Sequence, residues 1–258
     1  MSVLVNSQQL KQASPDAPEN QLMLQSITDV NLPKFLIQDV PLFKGIISDL
    51  FPGVEPTVRD RLDLENAINN EMVQRGLQPE AKLKTKILQL YDTICVRHGL
   101  MLVGLPFAGK STAYKSLAGA LTALSEQGLM GASPVNIVLL NPKSIKIGEL
   151  YGQFDSLSHE WTDGVLSAKF ATCAADPSDK AYWFMFDGPV DALWVESLNT
   201  VLDDNKKLCL ASGKIVAMSD RMKMMFEVRD LAVASPATVC LQISPSNIPY
   251  VLALCNKP

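Results

Sequence analysis

The chain is predicted to be α/β: a parallel sheet with helices on both faces, preceded by a helical region. Three observations point there. The run Ala-Tyr-Trp-Phe-Met-Phe at 181–186 is continuously apolar, as expected of a strand covered on both faces, the usual situation in a parallel sheet. Shorter apolar runs at 100–103 and 135–140 alternate with stretches of helical spacing, the order of βαβ units. Across residues 21–97 apolar positions recur at helical spacing, so helices come first.

Taken in order, residues 7–21 are polar and hold Pro15 and Pro18, so 1–21 is read as a flexible segment. From Leu22 to Phe51 short helices are expected, broken by Pro33 and Pro41 and closed by Pro52-Gly53. A second helical block runs from Thr57 to Arg97, interrupted at Leu77-Gln78-Pro79. The α/β core is assigned to 98–243: strands at 100–103, 135–140, 181–187 and 222–228, helices at 112–126, from 147, and after Pro189. Before the last strand, the segments 208–210 and 215–218 predict a β-hairpin turning at Ser212-Gly213.

The chemistry is concentrated at one junction. Gly104-Leu105-Pro106-Phe107-Ala108-Gly109-Lys110-Ser111 joins the first strand to the helix beginning near Thr112. In that setting it is a P-loop: glycines let backbone N–H groups turn toward phosphate oxygens, and the helix adds the positive end of its dipole. Lys110 is then expected to reach the β and γ phosphates and Ser111 to ligate Mg²⁺. Asp187, closing the next buried run, is read first as a metal-holding carboxylate; a helix cap is the lesser alternative, since Gly188-Pro189 and a helical pattern follow. A hydrolytic site wants a glutamate at position 188 to polarise water, and this chain has glycine. A positioned base is worth about 10²- to 10⁴-fold, so nucleotide binding with little turnover is expected.

Composition narrows the classes further. Charged residues make up 19% of the 258 and mean hydropathy is +0.12, lower in charge than most soluble domains and suited to apolar surface that meets neighbours. Net charge is −4, with no lysine and arginine cluster to track phosphates, so nucleic acid is not expected as a partner. Cys95, Cys173, Cys209, Cys240 and Cys255 are widely spaced and read as reduced thiols of a cytosolic protein. Neither a signal pattern nor a membrane span is read, so no membrane partner is expected.

With these elements placed, the chain resembles dynein heavy chains over most of residues 22–239. Asp29-Val30-Asn31-Leu32-Pro33-Lys34-Phe35-Leu36 and the stretch from Ile47 to Gly53 are similar to the helical lid ending the first AAA+ module of the motor ring. Val96 to Gly104, Asn141-Pro142-Lys143-Ser144, Tyr151-Gly152-Gln153-Phe154-Asp155, His159 to Gly164, Phe186 to Asp191, Leu198 to Lys207 and Ser235 to Val239 are similar to the second module. The Asn-Pro-Lys-Ser and Gly-Gln-Phe-Asp wording resembles axonemal chains. The resemblance implies ATP or ADP with Mg²⁺, held at Gly104, Leu105, Pro106, Phe107, Ala108, Gly109, Lys110, Ser111 and Thr112, with Ser111 and Asp187 toward the metal. No catalytic residue is assigned, and enzyme status is left open.

It further implies neighbouring AAA+ modules as partners, and intermediate chains, light chains and microtubules through a full-length protein in the axoneme of a cilium or flagellum. Glu227 stands where hydrolytic modules keep a polar sensor; a solvent-facing strand-end carboxylate is the equal alternative. After Val239 the family's Ser-Arg-Cys-Gly is replaced by Cys240-Leu241-Gln242-Ile243. That removes an arginine finger worth about 10³- to 10⁵-fold in phosphoryl transfer. Residues 240–243 are expected to finish a fifth strand, 244–258 reads as a divergent tail, and the chain reads as a fragment of a heavy chain. Two rival readings stand beside this one: an independent kinase-like phosphotransferase with an acceptor site near Asp155 to Asp163, and a remnant that binds no nucleotide.

Overall fold

The computed structural model describes residues 2–13, 15, 17–32, 39–54, 61–203 and 205–229. The chain divides into two compact units near residue 61. In the first, α1 (Ser2–Ala13) packs on α2 (Glu19–Asn31), and α3 is Val40–Leu50. Leu24 and Val30 of α2 are buried, and the buried Ser26 hydroxyl donates to Val3 O at 2.6 Å. The expected loop at 7–21 is therefore helical through Ala13. Its polar residues alternate with Val3, Leu4 and Leu10, and a weakly amphipathic helix needs no more than a partner helix to form. Pro41 opens α3 instead of breaking it, because the first turn needs no N–H from proline.

The second unit holds the sheet. Strands β1 (Gly99–Val103), β2 (Val135–Leu140), β5 (Ala181–Asp187) and β8 (Met222–Val228) are all parallel, in the order β1-β8-β5-β2. Between them lie α6 (Lys110–Glu126), α7 (Ile147–Tyr151), β3 (Gly152–Phe154), β4 (Trp161–Asp163), α8 (Val165–Ala175), α9 (Ala192–Val195), α10 (Asn199–Leu202), β6 (Lys207–Cys209) and β7 (Ile215–Ala217). β6 and β7 form the expected hairpin, with Gly213 at φ +84° in its turn. No periodic sequence pattern marks the hairpin β3–β4.

Alternation along the strands explains why both faces are covered. Tyr182, Phe184, Phe186, Met224 and Phe226 join Leu166, Phe170, Trp194 and Leu198 in one core on the side of α7, α8 and α10. Trp183, Met185, Met225, Leu100 and Leu102 join a second core with Leu64, Ile68, Ile87, Leu90 and Leu117. The latter residues belong to α4 (Leu62–Gln74), α5 (Ala81–Val96) and α6. So residues 62–96, read as part of a separate helical region at 22–97, cover one face of the sheet. The expected core boundary at 98 falls inside a single hydrophobic unit. The lid-like residues 33–38, the start of the second helical block at 57–60, the expected fifth strand at 240–243 and the tail at 244–258 lie outside the described residues.

Candidate functional site

β1 delivers the chain to the P-loop at the carboxyl edge of the sheet, where ligands of open α/β sheets sit. Gly104 N donates to Val228 O at 3.1 Å, tying the loop's first residue to β8. The loop turns through Ala108 N to Leu105 O and through two residues of positive φ, Phe107 at 65° and Gly109 at 82°. Gly109 carries that conformation without strain. Phe107 tolerates it with its ring fully in solvent.

Helix α6 has Gly109 as N-cap and no side-chain cap. Its first-turn N–H groups are left for solvent or an anion. Lys110 is buried, and its ammonium donates to Gly104 O at 2.6 Å and Leu105 O at 3.0 Å. Among the described residues it makes no ion pair, so its amino group stands at the loop neck with only carbonyl partners. Uncapped amides, that ammonium, a hydroxyl and nearby carboxylates form a donor set that fits a phosphate chain with a divalent cation.

The acidic side of the site is built by β5 and β8. Asp187 and Glu227 are register partners at the ends of adjacent parallel strands. By alternation from Met185 and Met225, both project on the α6 face of the sheet. Ser111 Oγ lies 2.8 and 2.9 Å from the two carboxylate oxygens of Glu227 and donates to that group. Glu227 is half-buried and bonded to the P-loop serine. Tyr114, one turn further along α6, has its phenol pKa pushed up to about 12, first by burial, then by Glu227 and Asp187. One region of space feels both carboxylates.

Asp187 is exposed, and Gly188 follows with its N–H 3.4 Å from Glu227 O. Beside Gly188 stands Asn141, at the end of β2, whose Oδ1 accepts from Lys143 N. Asp155 and Asp163, where an acceptor site was considered, are engaged locally. Asp155 Oδ1 accepts from Leu157 N and Ser158 N, and Asp163 accepts from Trp161 Nε1 and Lys214 Nζ. Both carboxyls are held below the usual range, Asp155 mainly by those backbone donors and Asp163 mainly by the indole.

Among the described residues no group of three His, Cys, Asp or Glu side chains gathers as a metal site, and no helix is long and apolar enough to cross a membrane. A cavity of about 180 Å³ lies between α4 and the far end of α6, lined by Asn66, Asn70, Glu71 and Gln127 among others. At 1.5 Å rise per residue it is roughly 20 Å from Lys110, outside the P-loop site.

Residues 1–111 match the family model of the hydrolytic ATP binding site of the dynein motor region. The chain is 52% identical over 238 residues, 92% of its length, to dynein axonemal heavy chain 3 of Mus musculus. It belongs to the axonemal dynein heavy chains. Dynein axonemal heavy chain 1 of Homo sapiens is 51% identical over 89% of the chain, and dynein axonemal heavy chain 12 of Mus musculus is 48% identical over 99%. The last match reaches into 244–258, the stretch read as divergent tail. The chain spans only 6–8% of the length of these dynein relatives. Its parallel P-loop sheet with helices on both faces is the AAA+ α/β core of the dynein motor region.

Proposed function

We propose that this dynein segment is a nucleotide-holding AAA+ module, which binds ATP or ADP with Mg²⁺ in a structural or regulatory role and hydrolyses it little. One observation carries the reading: a complete P-loop, with a buried lysine and an uncapped helix, faces a strand end where Asp187 is followed by glycine. Backbone N–H groups between Leu105 and Ser111, Pro106 excepted, with Thr112 behind them, would surround the phosphates. Lys110 would exchange its carbonyl partners for phosphate oxygens. Ser111 and Asp187 would face the metal, directly or through water. Bound Mg²⁺ would supply charge neutralisation along the phosphates.

Nothing at position 188 can take a proton from water, so the module holds what it binds. In the motor ring, its partners would be the neighbouring AAA+ modules. Intermediate chains, light chains and microtubules would be reached only through the full-length heavy chain, in microtubule-based movement within a ciliary or flagellar axoneme. Of the rivals, a kinase-like reading finds Asp155 bonded within its own turn and Asp163 bonded to Trp161 and Lys214. The test is equilibrium binding of a fluorescent ATP analogue in Mg²⁺. The chain should bind, and Lys110→Ala should weaken binding at least about 100-fold, as loss of a charge-assisted phosphate contact predicts. Equal binding by both chains contradicts the proposal, and no binding by either supports the remnant.

A further inference from the structure

Glu227 is an unusual neighbour for a triphosphate. Its carboxylate is 2.8 and 2.9 Å from Ser111 Oγ, at the point where the P-loop enters α6. It is the register partner of Asp187, on a strand about 4.8 Å away. Two carboxylates on adjacent strand ends, one of them bonded to the Ser111 hydroxyl, therefore flank the loop that carries Lys110. We propose that Glu227 is a second metal-facing carboxylate, acting with Asp187 and Ser111, so that this site takes nucleotide strictly as its divalent-cation complex. The proposal rests on the nucleotide reading above and deepens it.

The physical reason is the sign of the charge. Without a cation, a carboxylate beside phosphate oxygens repels them, and partial burial leaves that repulsion poorly screened. With a hard divalent cation between them, carboxylate oxygens become attractive ligands in an oxygen-only shell, which is what Mg²⁺ selects. A neutral amide in the same place is nearly indifferent to the metal. Glu227 thus couples cation and nucleotide by more than Asp187 alone would. Its hydrogen bond to Ser111 keeps the hydroxyl on the metal side of the loop in the meantime. The raised phenol of Tyr114, which responds to Glu227 and then Asp187 after burial, is consistent with both charges acting in this one place.

The experiment measures nucleotide affinity of the 258-residue chain with Mg²⁺ and with chelator, for the natural chain and for Glu227→Gln. Glutamine keeps an acceptor for Ser111 and removes only the charge, so a purely structural role leaves the metal dependence unchanged. The natural chain should bind much more tightly with Mg²⁺, and the ratio of the two dissociation constants should shrink about tenfold in Glu227→Gln, largely through tighter metal-free binding. An unchanged ratio overturns the inference while leaving nucleotide binding intact. If the natural chain binds no nucleotide in Mg²⁺, the inference falls together with the reading beneath it. Should Glu227→Gln fail to fold, a ratio near one in the natural chain would still overturn the second carboxylate.

Discussion

Gly188 sits where a hydrolytic site would carry its base, and the room around it can be measured. A Cβ there would lie 3.3 Å from Asn141 Oδ1 and 3.8 Å from Pro142 Cδ. The asparagine amide need shift only a few tenths of an ångström, so Gly188→Glu should fold with little loss of stability. If the missing base limits turnover, phosphate release should rise at least about tenfold in that variant. No rise would mean that something else holds the rate down. His98 offers a pH test at the opposite edge of the sheet. Its ring bonds Leu202 O at 2.9 Å, and its pKa is lowered from the ordinary 6.5 by burial first and by Lys206 second. Between 6.5 and the lower folded value, the unfolded chain takes up a proton that the folded chain refuses. Stability is thus complete above that window and falls as pH drops through it. Urea midpoints across this range should decline less steeply in His98→Asn, and an equal slope would show that His98 is not the responsible group.

At the scale of elements, β5 and β8 carry both the core and the site. Phe186 is fully buried and stacks on Phe226 at 4.9 Å between ring centroids, with Trp194 at 5.5 Å. Phe186→Ala should cost about 3–5 kcal/mol by chemical denaturation and lower nucleotide affinity, because Asp187 is the next residue. Stability within about 1 kcal/mol of the natural chain would mean the core collapses around the gap. These strands were readable in the sequence because continuous apolar runs have few alternatives. The hairpin β3–β4 was not, since its three-residue strands are mostly exposed and polar. Its order comes from the edge-to-face contact of Phe154 with Trp161 and from the Asp155 turn, neither of which leaves a periodic trace. The P-loop was legible from its spacing together with the apolar run before it and the helical pattern after it. The hydrogen bond of Glu227 leaves no local sequence trace, because its partner Ser111 is 116 residues away.

For the whole molecule, the sheet and both its helical layers come from residues 62–229, while α1 to α3 form a unit of their own. Sequence periodicity found the helices at 62–96 but grouped them with the helical region at 22–97, because periodicity carries no record of what a helix packs against. That is decided by tertiary burial of Leu64, Ile68, Ile87 and Leu90 against Leu100, Leu102 and Met225. A module of this kind gains stability from what it holds. At 100 times its dissociation constant a bound nucleotide adds about 2.7 kcal/mol, a large share of a domain's usual margin. The decisive measurement is a single-turnover experiment: limiting labelled ATP with Mg²⁺ is mixed with excess chain, and the label is followed in bound and free, triphosphate and diphosphate forms. The label should become bound and persist as triphosphate long after binding is complete. Label that stays free, or that appears promptly as diphosphate, would contradict a site built to grip a nucleotide without cutting it.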